Sequence, residues 1–313
     1  MNNSGDIIAV GLNPAWQKTL LFPELKFYEV NRAETVTHIA SGKGINFVRA
    51  LGMLGRNSRV FQFAGGETGR HICRYLDEEG IRHISVFVDS PTRVCTTCLC
   101  RKTGKMTELI EPSGIISEEA SQKFYEEISS ALPQSAGLAI CGTFPPGISP
   151  DFYLSISKKA HEHNLPVLLD AWKDVKSVLE NGIELLKINL EEISALSGQK
   201  NITDAMKFCF ETYSVKAIAV TAGPDNAYLS ADGNFWEFKL PRLDNVVNPI
   251  GAGDTVSAVF FSEYLSGKKL PDAFSSGLAA ASASCLTAKA AVFDTDKARD
   301  LNTKIRVNVK PLY

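Results

Sequence analysis

Short apolar runs alternate with longer amphipathic segments along most of the chain. Short runs bounded by turn residues are typical of strands buried on both faces, and the longer segments carry apolar residues at helical spacing. Because this alternation is typical of βαβ units, we predict an α/β fold with a doubly wound, mainly parallel sheet flanked by helices. The predicted strands are 7–10, 60–63, 84–88, 138–141, 167–170, 185–188 and 217–221, and the predicted helices are 43–54, 68–79, 117–131, 150–163, 190–197, 203–213, 253–266 and 271–288.

Two intervals, about 18–40 and 91–112, interrupt this rhythm. Segments such as RVCTTCLC and MTELIEP alternate in polarity over short lengths, which favours antiparallel strands over helical crossovers. We expect residues 1–313 to form a single domain. In it, the two excursions would build a small antiparallel β lid over one edge of the main sheet.

The composition indicates a protein that handles small molecules. The chain has 313 residues, 44% of them hydrophobic, with a net charge of −2 and a pI near 6.2. Without a basic field, nucleic acid and anionic membranes are poor partners. The opening residues lack a cationic start, and no run approaches the ~20 apolar residues of a membrane span. We therefore expect a cytoplasmic location.

Seven cysteines are scattered along the chain, which is unlike the framework of a disulfide-stapled secreted protein. Three of them fall close together, and a metal or redox site is the alternative to buried strand residues. Alternation places Cys98 and Cys100 on one face of a strand and Cys95 on the other, and no fourth ligand follows at zinc spacing. We expect reduced thiols packed in a strand.

The segment VNPIGAGDT carries the clearest chemical signal. Gly251 and Gly253 free the backbone to bring N–H groups close to an anion, and the helix start that follows adds the positive end of its dipole. Asp254 faces the same place, where a carboxylate is useful as a base for a hydroxyl that attacks a bound phosphate. The alternative is an ordinary tight loop with a capping aspartate.

A second glycine cluster, SGKGIN, precedes the first long helix. Its exposed N–H groups, the Lys43 ammonium and the Asn46 amide suit an anionic polyol, although a plain helix-entry loop has the same pattern. Asn13 follows the first strand, at the carboxyl end where open α/β sheets bind ligands.

Eight segments taken in order resemble the PfkB family of carbohydrate kinases, also called the ribokinase family. They are LNP, SGKGIN, TGR, Thr92-Arg93, CGTFPPG, KINLEE, TAG and VNPIGAGDT. The LNP opening, the GKGxN loop, Thr107-Glu108 and GTFPPG are most similar to the branch of 1-phosphofructokinase and tagatose-6-phosphate kinase. The resemblance implies a ribokinase-like fold, ATP as co-substrate and Mg²⁺ as cofactor.

The resemblance also implies roles on the nucleotide side. Asp254 matches the catalytic base, and Gly251, Ala252 and Gly253 match an anion hole for the transferred phosphoryl group. Asn189 and Glu192 match the NxxE motif near Mg²⁺ and its waters, whereas a helix cap and a solvated carboxylate are their simpler interpretation. The implied ATP-binding residues are Lys187, Asn189, Thr221, Gly223, Gly251 and Gly253.

On the sugar side, the residues with an implied or expected contact are Asn13, Gln17, Gly42, Lys43, Asn46, Arg93 and Thr143. Arg93 offers a planar fork suited to a phosphate and falls on the predicted lid, although a surface arginine on a strand is the alternative. Thr143 stands where the branch carries serine. Gln17 stands where the branch carries aspartate, which leaves the identity of the sugar open.

These residues predict ATP-dependent phosphorylation of a hydroxyl of a ketohexose monophosphate, such as fructose 1-phosphate or tagatose 6-phosphate. A kinase for a neutral sugar or nucleoside, and a non-catalytic sugar or nucleotide sensor of the same fold, are the alternatives. A nicotinamide dehydrogenase is disfavoured because no GxGxxG follows the first strand. Lids of this family pair across a dimer, so the resemblance also implies a homodimer through the β lid.

Overall fold

A computed structural model describes residues 5–313 and contains two sheets. The strands are β1 (Asp6–Val10), β2 (Ala15–Phe22), β3 (Thr35–Ser41), β4 (Ser58–Gly65), β5 (His83–Val88), β6 (Val94–Cys100), β7 (Met106–Ile110), β8 (Ser135–Cys141), β9 (Val167–Asp170), β10 (Ile183–Asn189), β11 (Val215–Ala222), β12 (Asn226–Ala231), β13 (Asn234–Lys239) and β14 (Arg306–Pro311). The helices are α1 (Lys43–Met53), α2 (Gly66–Glu78), α3 (Glu118–Ala131), α4 (Asp151–Glu162), α5 (Lys176–Asn181), α6 (Leu190–Ser197), α7 (Ile202–Thr212), α8 (Ala252–Leu265), α9 (Leu270–Ser284) and α10 (Thr295–Asn302).

The main sheet has the strand order β14-β13-β12-β11-β10-β9-β8-β1-β4-β5. Pairing is parallel from β5 to β11 and antiparallel from β11 to β14. Because successive strand side chains point to opposite faces, Ile7 and Ala9 join one hydrophobic core, and Ile8 and Val10 join another. Helices cover both faces, as a doubly wound α/β fold requires.

Every strand and helix predicted from the sequence is present, with ends displaced by a few residues. The prediction missed the antiparallel edge of β12, β13 and β14, and the short helices α5 and α10. Asp232 and Gly233 form the turn between β12 and β13, and both have positive φ values of 49° and 74°. An Asp-Gly pair between apolar runs is a hairpin signal, so this part of the edge was accessible from the sequence.

The two excursions form a separate sheet with the order β3-β2-β6-β7. Each excursion is antiparallel within itself, as predicted, and the two are joined by a parallel pairing of β2 with β6. We call this sheet the lid. Trp16 anchors it: the indole packs against His38 within the lid and against His71 and Tyr75 of α2. Trp16 therefore belongs to the lid's attachment to the core.

Three findings concern membrane spans, cysteines and metal sites. Within residues 5–313, no helix combines the length and apolar character needed to cross a bilayer. All seven cysteines are free thiols, and Cys98 and Cys100 are buried on one face of β6, as the alternation predicts. Among the described residues, no three or more His, Cys, Asp or Glu side chains are grouped to hold a metal ion.

Candidate active site

The carboxyl ends of the parallel strands and the lid enclose a cleft of about 350 Å³. A twisted parallel sheet opens a crevice at this end, where loops can reach a ligand. Of the predicted site residues, the cleft is lined by Asn13, Gln17, Gly42, Lys43, Asn46, Arg93, Thr143, Glu192, Gly251 and Asp254. Residues separated by more than 200 positions in the sequence therefore line one cavity.

Gly251 shapes the floor of the cleft. It is the N-cap of α8 with a φ of 78°, in the left-handed region that favours glycine. A Cβ at this position would lie 3.2 Å from the Ala291 nitrogen and 3.3 Å from Asn46 Nδ2. The positive φ disfavours any residue with a Cβ at position 251, and these close contacts leave little room for such an atom.

Asp254 lies in the first turn of α8, and its side chain is buried. Its Oδ2 accepts a 2.8 Å hydrogen bond from Asn46 Nδ2. Burial and the negative charge of Asp170 raise the pKa of Asp254, while Lys43, Asn46 and Lys187 oppose this rise. Desolvation by burial is the largest of these influences.

Asp170, at the end of β9, lies between two lysines. Its Oδ1 accepts a 2.7 Å hydrogen bond from Lys43 Nζ, and its Oδ2 lies 3.3 Å from Lys187 Nζ. Ser257 of α8 donates a 2.5 Å hydrogen bond to the same Oδ2. Burial favours the neutral acid, but Lys187 and Lys43 outweigh it and hold the pKa of Asp170 at about 2.

Lys43 is oriented by carboxylates. Besides Asp170, its ammonium lies 3.8 Å from Glu192 Oε1. Burial alone would lower the pKa of Lys43, but the charges of Asp170, Asp254 and Glu192 raise it above its ordinary value. The ammonium therefore stays charged, and it lies between the carboxylates of Asp170 and Glu192.

Of the predicted nucleotide residues, only Gly251 lines this cleft, and the others lie outside its lining, on or next to β10, β11 and α8. Lys187 is buried, and a Cβ added at Gly253 would lie 3.0 Å from its Nζ, so the glycine permits close approach of the ammonium. Asn189 and Thr221 are partners in the β10–β11 register, and Gly223 follows one residue after β11 ends. Ala252 begins α8.

Asn189 and Glu192 form a capping box at the start of α6. Asn189 Oδ1 accepts from the Glu192 N–H, and Glu192 Oε2 accepts from the Asn189 N–H, both at 2.8 Å. This is the helix-cap interpretation considered above, and it leaves Glu192 Oε1 as the carboxylate oxygen outside the box. This oxygen lies 3.8 Å from the Lys43 ammonium, and one carboxylate oxygen suits a hydrated Mg²⁺ that keeps its waters better than a cage of protein ligands.

Gln17 occupies the position expected to contact the sugar. Its Nε2 donates to Thr97 Oγ1 at 2.7 Å and to the Lys18 carbonyl at 3.2 Å. Because a carbonyl only accepts, the amide orientation is determined, and Oε1 is left as the acceptor. Gln17 thus offers an acceptor oxygen, as the aspartate of the branch would, but without its charge.

Arg93 lies just before β6, at the junction of lid and core. Its guanidinium donates to the Asn13 carbonyl at 3.2 Å, and Ser113 Oγ donates to Asn13 Oδ1 at 2.8 Å. Arg93 Nε is buried and has no hydrogen-bond partner among the described residues. Arg93 therefore brings a cationic guanidinium with an unpaired donor to the cleft lining, and it is a candidate contact for an anionic ligand.

Sequence reasoning missed four residues of this site: Arg49, Thr97, Asp170 and Ser257. Asp170 was detectable, since a carboxylate ending an apolar predicted strand falls at the ligand edge of the sheet. The other three are recognised only through the partners that the fold gives them. Thr143 is exposed at the rim of the cleft.

Both the sequence and the fold are similar to those of known proteins. Residues 8–297 match the model of the pfkB family carbohydrate kinases. Phosphofructokinase-2 from Escherichia coli, in complex with fructose-6-phosphate, has 22% sequence identity and a TM-score of 0.85, covering 96% of this chain and 99% of that chain. A possible 1-phosphofructokinase from Thermotoga maritima has 19% identity and a TM-score of 0.87, covering 97% and 99%.

Ribokinase from Arabidopsis thaliana, complexed with ribose and ATP, has 19% identity and a TM-score of 0.74, covering 96% of this chain and 99% of that chain. At these identities, the structural similarities establish the fold alone. The family match extends over most of the sequence and includes the cleft. The chain belongs to the pfkB family of carbohydrate kinases.

Proposed function

We propose that this protein transfers the γ-phosphoryl group of ATP to a hydroxyl of a ketohexose monophosphate, of the fructose 1-phosphate or tagatose 6-phosphate type. The observation that carries the proposal is a cleft with a buried carboxylate, Asp254, beside the Gly251 turn, together with an arginine donor, Arg93, that lacks a partner. A base and an anion turn serve any sugar kinase. The arginine selects an acceptor that already carries a phosphate.

In the proposed reaction, an acceptor hydroxyl gives its proton to Asp254 as its oxygen forms a bond to the γ-phosphorus. The bond from that phosphorus to the β–γ bridging oxygen breaks, and ADP leaves with the electron pair. N–H groups of the 251–253 turn and the Lys187 ammonium stabilise the charge on the transferred group. The proton on Asp254 returns to solvent after product release.

Mg²⁺, when bound with ATP, would neutralise phosphate charge, and Glu192 would hold it through water by Oε1. Asn189 would keep that carboxylate in place through the capping box. Gln17 Oε1 would accept a hydroxyl of the sugar, with its amide fixed by Thr97. Seven free thiols suit a reducing compartment such as the cytoplasm, where we place the reaction.

The test of the acceptor class is Arg93→Gln. Loss of a charge-assisted contact to phosphate should raise KM for the phosphorylated acceptor about 10- to 100-fold, with kcat changed by less than about 3-fold. Coupled turnover is measured on fructose 1-phosphate, fructose 6-phosphate, tagatose 6-phosphate and the free sugars. Arg242→Gln, which changes an arginine outside the cleft lining, is the matched control.

Two outcomes, one in turnover with a panel extended to nucleosides and one in thermal unfolding with the same ligands, would contradict the proposal. Wild-type activity on free sugars or nucleosides alone would identify a kinase for neutral acceptors. Binding of sugar and ATP that raises the melting temperature without any turnover would identify a sensor.

We also propose that the lid pairs with the lid of a second copy. Its outer strands β3 and β7 are exposed along most of their length, and the apolar side chains of Val36 and Leu109 lie on the face of the lid opposite to Gln17. Such a surface is costly in water and is covered by symmetric association. We expect a dimer by light scattering, a monomer for Leu109→Glu, and a dimer for Val309→Glu on the exposed strand β14. A wild-type monomer at assay concentration would contradict the proposal.

A further inference from the structure

Arg49 is an almost fully buried arginine on the face of α1 that adjoins the cleft. Its guanidinium makes contacts on three sides. Nε and Nη2 donate to Glu79 Oε2 at 3.1 and 2.9 Å, and Nη2 also donates to the Ala40 carbonyl at 2.7 Å. Nη1 donates to Asn46 Oδ1 at 2.9 Å. The planar fork is thereby held rigidly, with one donor aimed at Asn46.

This contact decides how the Asn46 amide is turned. A guanidinium has donors only, so the Asn46 atom that faces Arg49 must be the oxygen. The amide nitrogen is then on the other side, where it donates to Asp254 Oδ2 at 2.8 Å. If the amide turned over, its oxygen would face a carboxylate, which is repulsive. Arg49 therefore selects the orientation in which Asn46 supports an ionised Asp254.

We propose that Arg49, held by Glu79, is a positioning residue for the catalytic base. It acts through Asn46, which fixes Asp254 Oδ2 and leaves Oδ1 to take the proton of the acceptor hydroxyl. This inference rests on the proposed role of Asp254 as base. None of the sequence motifs considered above includes Arg49 or Glu79.

The same network reaches the turn formed by residues 251–253. Glu79 also pairs with Lys289, in the loop between α9 and α10. That loop contains Ala291, whose backbone nitrogen packs on Gly251, and Asn46 Nδ2 lies on the same side of Gly251. One buried arginine and its carboxylate thus link the base to the turn that would stabilise the transferred phosphoryl group.

Among the described residues, the other titratable groups around Asp254 make no hydrogen bond or ion pair with Arg49. Lys43 belongs to α1, Asp170 to β9 and Lys187 to β10, and the Cys141 thiol ends β8. A change confined to Arg49 therefore leaves these groups in place. Its effect on Asp254 can be separated from theirs.

The test is a double-mutant cycle of Arg49→Lys with Asn46→Ala. Lysine keeps the buried positive charge opposite Glu79 but cannot serve Glu79 and Asn46 with one planar fork. Arg49→Lys alone should lower kcat about 10- to 100-fold, with KM for the acceptor changed by less than about 3-fold. In the Asn46→Ala background, the same change should alter kcat by less than about 3-fold. Arg59→Lys, at the ion pair with Asp6 outside the cleft, is the matched control.

An unchanged kcat in Arg49→Lys, or an equal loss in both backgrounds, would overturn the inference, because a purely structural arginine gives additive effects. A second readout does not need turnover: the ¹³C signal of the Asp254 carboxyl, assigned by its loss in Asp254→Asn, is titrated with pH. The pKa of Asp254 should be higher in Arg49→Lys than in the wild type, since the amide donor favours the carboxylate. Equal pKa values would also overturn it.

The titration of Asp254 tests the role of Arg49 separately from the proposed kinase activity. A wild type that phosphorylates no sugar phosphate contradicts the proposed function, while the titration still tests the network. Glu79→Gln keeps the shape of the side chain, and it should lower kcat and raise the pKa of Asp254 by smaller amounts than Arg49→Lys does. It takes the place of Arg49→Lys if that variant does not fold.

Discussion

Asp254→Asn should lower kcat by about 10²- to 10⁴-fold, with KM for the acceptor and for ATP changed by only a few fold. Asparagine has nearly the same shape and can still accept from Asn46, but it cannot take a proton from the attacking hydroxyl. The loss should therefore appear in the chemical step. Initial rates at saturating ATP with the best acceptor of the panel measure it.

The control is Asp272→Asn, which changes an exposed carboxylate in the first turn of the next helix, α9. A general effect of removing a negative charge near a helix start would appear in both variants. A catalytic role appears in Asp254→Asn alone. Unchanged turnover in Asp254→Asn would exclude Asp254 as the base.

Stability should move in the opposite direction to activity. Asp254 is buried and lies near the negative charge of Asp170, so its ionised form destabilises the folded protein. Asp254→Asn removes that destabilisation, and we expect its melting temperature to equal or exceed that of the wild type. A stable but inactive variant would locate the defect in catalysis. A lower melting temperature would show that the carboxylate stabilises the fold.

The pH dependence of kcat follows from the same balance. Because the pKa of Asp254 is raised above its ordinary value, kcat should fall on the acid side as pH drops through that raised value. Because the ionised carboxylate is the active form, kcat is retained at pH values above this pKa.

The parallel core of the fold was predictable because its physical signal is local. A strand buried on both faces needs a continuous apolar run, and the runs at β8, β9 and β11 are unambiguous in the sequence. Strand β14 is the opposite case. All its residues are exposed, so nothing in its composition marks it, and only its pairing with β13 makes it part of the sheet.

The candidate site divides in a similar way. Gly251 and Asp254 were identifiable because a turn with an unusual backbone and the carboxylate after it are adjacent in the chain. Asp170 and Thr97 act through partners that are distant in sequence: Asp170 through Lys43, and Thr97 through Gln17. One sequence alone does not show such pairs.

Asp170→Asn should have the largest effect on stability. The substitution leaves the ammonium groups of Lys43 and Lys187 without the carboxylate that both contact. Breaking a buried ion pair by removing one partner costs about 3–5 kcal/mol, and we expect a loss of this size in the free energy of unfolding at pH 7. Urea titration measures it, with Asp244→Asn, an exposed loop carboxylate, as the control.

The pH dependence of this loss has a definite sign. The pKa of Asp170 is about 2 in the folded protein against an ordinary value of 3.8, so its ionisation stabilises the fold above about pH 4. That contribution, about 2 kcal/mol, is lost as pH falls from about 4 to 2, because the wild-type carboxyl is then protonated as well. The difference between wild type and Asp170→Asn should therefore narrow over this window, and a constant difference would contradict the lysine pairing.

Asp170→Asn should also change the acid limb of kcat. The negative charge of Asp170 is one cause of the raised pKa of Asp254, so its removal should lower that pKa. The two lysines, released from Asp170, then favour the ionised form of Asp254 further. The pH at which kcat is half-maximal should move downward relative to the wild type. An upward movement would mean that Asp170 supports the ionised base, and that the two carboxylates do not oppose each other.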